Sequence, residues 1–356
     1  MNRLPNLDPL RFFLASFVLL FHLPQLSANQ GLPSFDGLPI YHRGLEAVYM
    51  FFVLSGFLII RLIYRAKIRD NFSIKDFYIR RILRIFPLYY LVLGFGLLFY
   101  NVLLPFLNIP FEINYTWKEA LFYNIFFLPN VFAKIYEPGG ILEILWSIGI
   151  EEQFYLIIAP LLFFINVKWI LRVLSLLLMG YFILFWSDIF EVLRKYTFVF
   201  FYLFSGGVLA ILEEKKKLEF LKCSAVFPVM VCIATLLYYI TDWFMFEPLW
   251  LRALFTCLLF AFFIHSLAFN NRGVEVNNKL LHHFGSISYG IYMFHAIVLN
   301  AVVFLFLKLE MLQNLNETLT IILMHLLTFA GTLLIAHLSY TYFELYFLKL
   351  KNKFRK

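Results

Sequence analysis

The sequence is poor in charge. Only 15% of its 356 residues are Asp, Glu, Lys or Arg, against about a quarter in an ordinary soluble domain. Cysteine is scarce too: Cys223, Cys232 and Cys257 have neither metal-ligand spacing nor an even count, so they are read as apolar filler and no metal site is expected. Short-period repeats and low-complexity tracts are lacking. The net charge of +8 would point to nucleic acid only if the cations formed an exposed stripe on a soluble fold. The rest of the composition excludes such a fold. Hydrophobic residues make up 62% and aromatic residues 21% of the chain, with a mean hydropathy of +0.80. A soluble protein cannot hide that much apolar surface, so the chain reads as an all-α, polytopic membrane protein.

A membrane helix needs about 20 mostly apolar residues. Ten stretches qualify, near 9–27, 45–64, 86–107, 145–166, 169–187, 195–212, 223–241, 248–269, 284–307 and 319–343. The short turn at Lys168 predicts a tight helical hairpin. The apolar stretch Trp117–Ala133 is broken by Pro129 and reads as interfacial or re-entrant. With the N-terminus in the cytoplasm, all but seven of the 30 basic residues fall on the inner side; the exceptions are Arg43, Lys118, Lys134, Arg194, Lys195, Arg252 and Lys308. That bias is the positive-inside pattern, and it predicts both termini in the cytoplasm with 108–144 as the longest outer loop. The first span, with Arg11 inside it, is a poor cleavable signal peptide. A single membrane-embedded domain over 1–356, with no attached soluble domain, is the expected organisation.

Ionisable groups inside spans cost at least about 2.5–3.5 kcal/mol at the centre, so each is a candidate for function. Arg11 and His22 are eleven residues apart; at 100° per residue they lie within about 20° of one helix face, roughly 16 Å apart along the axis. One face of the first span would then line a polar cleft, with a snorkelling Arg and an independent packed His as the bland alternative. The fourth span opens LWSIGIEEQFYL, placing Glu151 and Glu152 about two turns below the outer surface, at a depth similar to that of His22. A carboxylate beside an imidazole in low dielectric would fix its tautomer. Ser147 and Tyr155 share a helix face with Glu151. The loop FYIRRILRIFPLYYL carries Arg80, Arg81 and Arg84. Guanidinium forks at that spacing suit phosphate groups, although anchoring to anionic lipid heads explains them as well. His295, His325, His337 and Glu344 in the last two spans read first as packing or interfacial residues, and Gly206 and Gly207 as close helix packing.

Taken together, these segments resemble acyltransferase family 3, whose multi-pass members acylate surface carbohydrates. LDPLRFFLASFVLLFH matches the family's opening pattern and its Arg-x10-His spacing; FFVLSGFLI, the arginine-rich loop and LWSIGIEEQFYL match the next three signatures; SYGIYMFH and SYTYFELYF match the closing pair. One departure stands out. Family members often have a Gly-Val-Asp-like triplet before FFVLSG, where this chain has Ala47, Val48 and Tyr49, with Glu46 nearby but out of register.

The resemblance implies an acyl-CoA donor, most often acetyl-CoA, on the cytoplasmic side, and a hydroxyl of a cell-surface or lipid-linked carbohydrate as acceptor. The expected location is a bacterial inner membrane, with membrane lipids but no nucleic acid as partners. Arg80, Arg81 and Arg84 would hold the nucleotide phosphates, Arg11 would mark the cleft, and His22, oriented by Glu151 or Glu152, would act as general base or become acylated itself. A transporter or flippase for lipid-linked saccharides is the rival reading, since transport sites also use intramembrane charges.

Overall fold

The computed structural model describes residues 4–224, 226–269 and 276–352. Arg3, Arg272, Lys353, Arg355 and Lys356, counted above among the inner charges, lie outside the described residues. Among the described residues the chain is helical, without strands. The helices are α1 (Leu7–Asn29), α2 (Gly44–Ile68), α3 (Ile74–Leu98), the short α4 (Trp117–Ile125) and α5 (Pro129–Tyr136), α6 (Leu145–Phe164), α7 (Ile170–Trp186), α8 (Phe200–Glu214), α9 (Val226–Ile240), α10 (Leu249–Phe269), α11 (Lys279–Ser286), α12 (Ser288–Lys308), α13 (Glu317–Ser339) and α14 (Leu345–Asn352). Single turns between them are left unnumbered.

The protein is a multi-pass membrane protein. Among the described residues, seven helices are long and apolar enough to cross a bilayer, and the pair Ile170–Trp186 and Asp188–Lys195, bent by 83°, makes an eighth if it is one span. Of the ten expected spans, α8 and α9 are the short ones, at 15 residues each. That is about 22 Å of helix against a hydrocarbon core of about 30 Å.

The chain divides into two compact units, Met1–Leu54 with Lys216–Thr341 and Ser55–Lys215 with Tyr342–Lys356. In the first, α1 packs on α12 and α11, and α12 packs on α13. Two apolar clusters give the helix directions. Ala15 meets Ile287, Ile291 and Ala336, whereas Leu19 and Leu23, further along α1, meet Val298, Val302, Phe306 and Met324. Later residues of α1 therefore pair with later residues of α12 and earlier residues of α13. So α1 and α12 run parallel and α13 returns antiparallel to both. Lipid offers no hydrophobic drive for such contacts, so small residues carry the close crossings. A Cβ on Gly285 would overlap the Asp8 carbonyl. Asn6 ties down the start of α1, donating to the Leu267 carbonyl at 3.1 Å and accepting from the Val276 N–H at 2.8 Å.

In the second unit, a Cβ on Gly56 would overlap the Leu203 carbonyl, and one on Gly207 would overlap Ile60. These contacts bring α2 and α8 together at backbone distance, as the sequence reading of Gly207 anticipated. The hairpin expected at Lys168 is not tight: α7 packs mainly on α8. Lys67 closes the C-terminal end of α6, its Nζ donating to the carbonyls of Leu162, Phe163 and Ile165, where the helix dipole favours a cation.

The arginine-rich segment is not a loop. The Ser73 hydroxyl caps α3 by accepting from the Asp76 N–H at 3.2 Å, and Arg80, Arg81 and Arg84 lie in its first turns. The helix runs on through Pro87. The stretch Trp117–Ala133 is two short helices and no span. α4 opens with a reciprocal capping box between Thr116 and Glu119, and the Tyr136 hydroxyl donates to Glu119 at 2.9 Å.

Candidate functional site

The parallel run of α1 and α12 puts two histidines at one level. On α1, Ala15, Leu19 and His22 follow the i, i+4, i+7 stripe that faces a packed neighbour. On α12, Ile291, His295, Val298 and Val302 do the same. The His22 and His295 rings stack with centroids 5.3 Å apart, between the two apolar clusters. His295 is fully buried, and its Nδ1 lies 2.5 Å from the Tyr292 carbonyl. A carbonyl only accepts, so the proton sits on Nδ1 and the neutral ring presents its lone pair at Nε2. That Nε2 is buried and meets no hydrogen-bond partner within the protein. His22 is half-buried; Phe21 stands edge-on to it at 5.0 Å, and the Gln25 side chain approaches its ring.

The other histidines differ. Nδ1 of His325 donates to the Ile321 carbonyl at 2.7 Å, so its Nε2 accepts from the Tyr41 hydroxyl at 2.9 Å. This pins the turn before α2 onto α13. His337 pairs with His283 at 2.9 Å. Arg11 is ion-paired with Asp8 at 2.8 Å, and His282 approaches the same carboxylate at 3.7 Å. The guanidinium at the start of α1 therefore carries its own counter-charge.

Glu151 and Glu152 belong to the second unit. The Tyr155 hydroxyl donates to Glu151 Oε2 at 2.7 Å, the i, i+4 relationship read from the sequence. It is also bonded to the Ser55 hydroxyl. Since the single Tyr155 proton goes to the carboxylate, Ser55 must donate to Tyr155, giving a relay Ser55 to Tyr155 to Glu151. Arg81 lies over the rings of Phe77 at 6.0 Å and Tyr155 at 5.9 Å, and interacts electrostatically with Glu152, Glu151 and Arg84. Arg81 Nε and Glu152 Oε1 are both buried without a hydrogen-bond partner. Arg84 is exposed and Arg80 half-buried. Two further guanidinium groups are already committed: Arg61 and Arg65, one turn apart on α2, clamp Glu214 at 2.6 and 2.8 Å.

So the structure gathers the predicted residues into two constellations, one per unit: His22 with His295, and Glu151 and Glu152 with Arg81. Within its own unit the ring beside His22 is another imidazole, a partner the sequence reading had taken for packing. The signal was present in the SYGIYMFH segment, but only the helix direction brings it to His22. Among the described residues, no group of three or more His, Cys, Asp or Glu is arranged to hold a metal ion.

Comparison with known proteins gives this arrangement a context. Residues 4–337 match a family described as an acyltransferase domain. The chain is 32% identical over 163 residues to a putative peptidoglycan O-acetyltransferase, YrhL, of Bacillus subtilis, covering 43% of this chain and 23% of that protein. It is 28% identical over 175 residues to the peptidoglycan O-acetyltransferase OatA of Listeria monocytogenes, covering 47% and 25%. A putative acetyltransferase of Acidianus two-tailed virus is 29% identical over 154 residues, covering 43% and 39%. The chain thus spans about a quarter of the length of the two peptidoglycan enzymes, and no solved structure matches it significantly. With the match running over nearly its whole length, and with buried histidines and arginines in the matched segments, the chain belongs to the acyltransferase family.

Proposed function

We propose that the protein is a membrane O-acetyltransferase that moves an acetyl or other short acyl group from acyl-CoA to a hydroxyl of a cell-surface or lipid-linked carbohydrate at a bacterial inner membrane. The observation that carries this reading is the stacked His22–His295 pair, in which His295 is fully buried. An imidazole lone pair held in an apolar layer can take a proton from an alcohol. The names of the peptidoglycan-modifying relatives support the carbohydrate acceptor.

In this reading His22 removes the proton of the sugar hydroxyl, with His295 positioning the ring. The oxygen attacks the thioester carbonyl, the carbon–sulfur bond breaks, and the proton leaves with the thiolate as coenzyme A thiol. Arg84 and Arg80, with Arg81 behind them, bind donor phosphates by charge-assisted hydrogen bonds. Arg11, neutralised by Asp8, lines the approach of the acyl chain. Glu151 and Glu152 supply the buried negative charge that holds Arg81 in place, and the Tyr155–Ser55 relay fixes one of them.

The parallel α1 and α12 also support a span count. Two helices crossing in the same direction are separated by an odd number of crossings. Eight or ten spans in all satisfy that condition and seven do not, which fits both chain ends on the cytoplasmic side.

Purified protein in detergent, incubated with acetyl-CoA and a peptidoglycan glycan fragment, tests the reaction by mass spectrometry of the product. An added acetyl group that depends on His22 is the expected result. Saccharide translocation into vesicles without acylation would establish the transporter reading instead.

A further inference from the structure

Outside the histidine layer, the first unit holds a second buried polar cluster. Glu46 sits in the first turn of α2, and Tyr238 and Tyr239, 0% and 4% exposed, lie near the end of α9. The Glu46 carboxylate interacts electrostatically with Arg43 and Arg252 and lies beside the Tyr238 hydroxyl; the Tyr239 hydroxyl belongs to the same group. Even so, Glu46 Oε2, Tyr238 Oη and Tyr239 Oη are buried without a well-formed hydrogen bond, the loose approach of the Tyr238 hydroxyl to the carboxylate apart. Buried polar atoms are normally paired, so three together call for an explanation.

The surroundings hold these groups in place without consuming them. Arg43 donates to the carbonyls of Tyr238 and Thr241 at 3.3 Å and pairs with Asp242, which fixes the chain at the end of α9. Arg252 reaches the Met245 sulfur at 3.2 Å, a weak acceptor. Arg43 is balanced by Asp242 and Arg252 by Glu46, so the cluster has no excess charge to attract an anion. A carboxylate oxygen accepts hydrogen bonds, a guanidinium donates them, and phenols do both. Together they complement a neutral ligand with several hydroxyls. The position is also suitable: Phe17 packs on Tyr239 at 4.9 Å, and Phe21, edge-on to His22, fills the space beside Gly44, two residues before Glu46.

We propose that Glu46, Tyr238, Tyr239 and Arg252 form a binding subsite for a neutral, hydroxyl-rich saccharide ring, the neighbour of the ring that is acylated. The subsite rests on the acyl-transfer reading for its occupant but not for its chemistry. It also gives Glu46 a place of its own, one turn before Tyr49.

The test uses the full chain in detergent and an N-acetylglucosamine tetramer as probe, with binding measured by calorimetry in the absence of any acyl donor. Tyr238→Phe and Tyr239→Phe remove only the hydroxyls, and Glu46→Gln keeps the side-chain shape. Each lost hydrogen bond should weaken saccharide binding by about two- to tenfold. The acceptor KM should rise by the same factor and the donor KM should stay unchanged. Gly180→Ala, where the added methyl group meets nothing within 4 Å, should bind the tetramer as wild type does. Undiminished binding in the Tyr and Gln variants, or no binding by the wild type at millimolar saccharide, overturns the subsite. Binding that needs these hydroxyls, in a protein that transfers no acyl group, would instead sink the proposed reaction and leave the subsite standing.

Discussion

His22 and His295 stack 5.3 Å apart across two parallel helices, and the His295 ring is locked by its Nδ1–H bond to the Tyr292 carbonyl. If His22 is the base or the acyl carrier, His22→Ala should lower transfer by about 10²–10⁴-fold at unchanged membrane abundance. His295→Ala, which removes the positioning ring, should lower kcat and leave the donor KM near wild type. Product mass spectrometry on well-expressed variants checks both, and wild-type turnover in His22→Ala would remove the histidine from the chemistry.

The arginines of α3 should separate by exposure. Arg84→Lys keeps the charge and loses the planar fork, so the KM for the acyl-CoA should rise about tenfold while the protein still inserts. Arg81→Lys gives up the contacts over Phe77 and Tyr155 and disturbs the charge beside Glu151 and Glu152, so its yield of folded protein should fall as well. Donor kinetics equal to wild type in Arg84→Lys would make that residue a lipid anchor.

Gly56→Ala places a methyl group on the Leu203 carbonyl. Overpacking costs about 1–3 kcal/mol, and here the obstacle is backbone, which cannot rotate away. Thermal unfolding in detergent should show a lowered Tm. Gly180, where a Cβ would meet nothing within 4 Å, provides the control: Gly180→Ala should melt with the wild type.

The α4–α5 segment should be sensitive to pH at both extremes. Hydrogen bonds from the Thr116 N–H and hydroxyl, and from Tyr136, hold the Glu119 carboxyl below the usual carboxylate range. Its stabilisation is present above the unfolded value near 4.5 and is lost as pH falls through the lower folded value. The Glu119 contact pushes Tyr136 up to about 12, so that contribution is complete below pH 10 and disappears as pH rises through 12. Limited proteolysis of 108–144 across pH should follow this window, and Glu119→Gln should flatten the acidic arm.

Cysteine labelling tests the orientation. In a chain whose native cysteines are replaced, Lys118→Cys should react with an impermeant reagent from outside the cell and not from the cytoplasm. The opposite result would invert the positive-inside assignment.

The sequence carried the all-α membrane class and the long apolar helices, because lengths of apolar chain are legible without a structure. What it could not carry was direction and partnership. His295 looked like one histidine among aromatics until the pairing of Ala15 with Ile287, and of Leu23 with Val302, fixed α12 parallel to α1. Arg80, Arg81 and Arg84 were read as a loop ahead of the third span, whereas α3 already begins at Ile74 and carries Pro87 inside it. A Pro removes a single helical donor, and in a membrane bundle the neighbouring helices tolerate it. Glu46 was seen, but Tyr238 and Tyr239 come from another helix and nothing local in the sequence joins them. α8 and α9 were counted as full spans over 195–212 and 223–241, whereas the helices run Phe200–Glu214 and Val226–Ile240.

The parallel packing of α1 and α12 has a consequence for how the protein is made. The ribosome delivers α1 first and α12 close to the end, and at about 5–20 residues per second the interval is roughly 15–60 s. Throughout that time His22, Leu19 and Leu23 lack the partners they have in the finished protein. The nascent chain must keep an ionisable side chain in or near the bilayer with borrowed company, whether other helices, the insertion machinery or lipid headgroups. Completion of the histidine layer is thus a late event in biogenesis, and a stall before α12 leaves the His22 ring without its His295 neighbour.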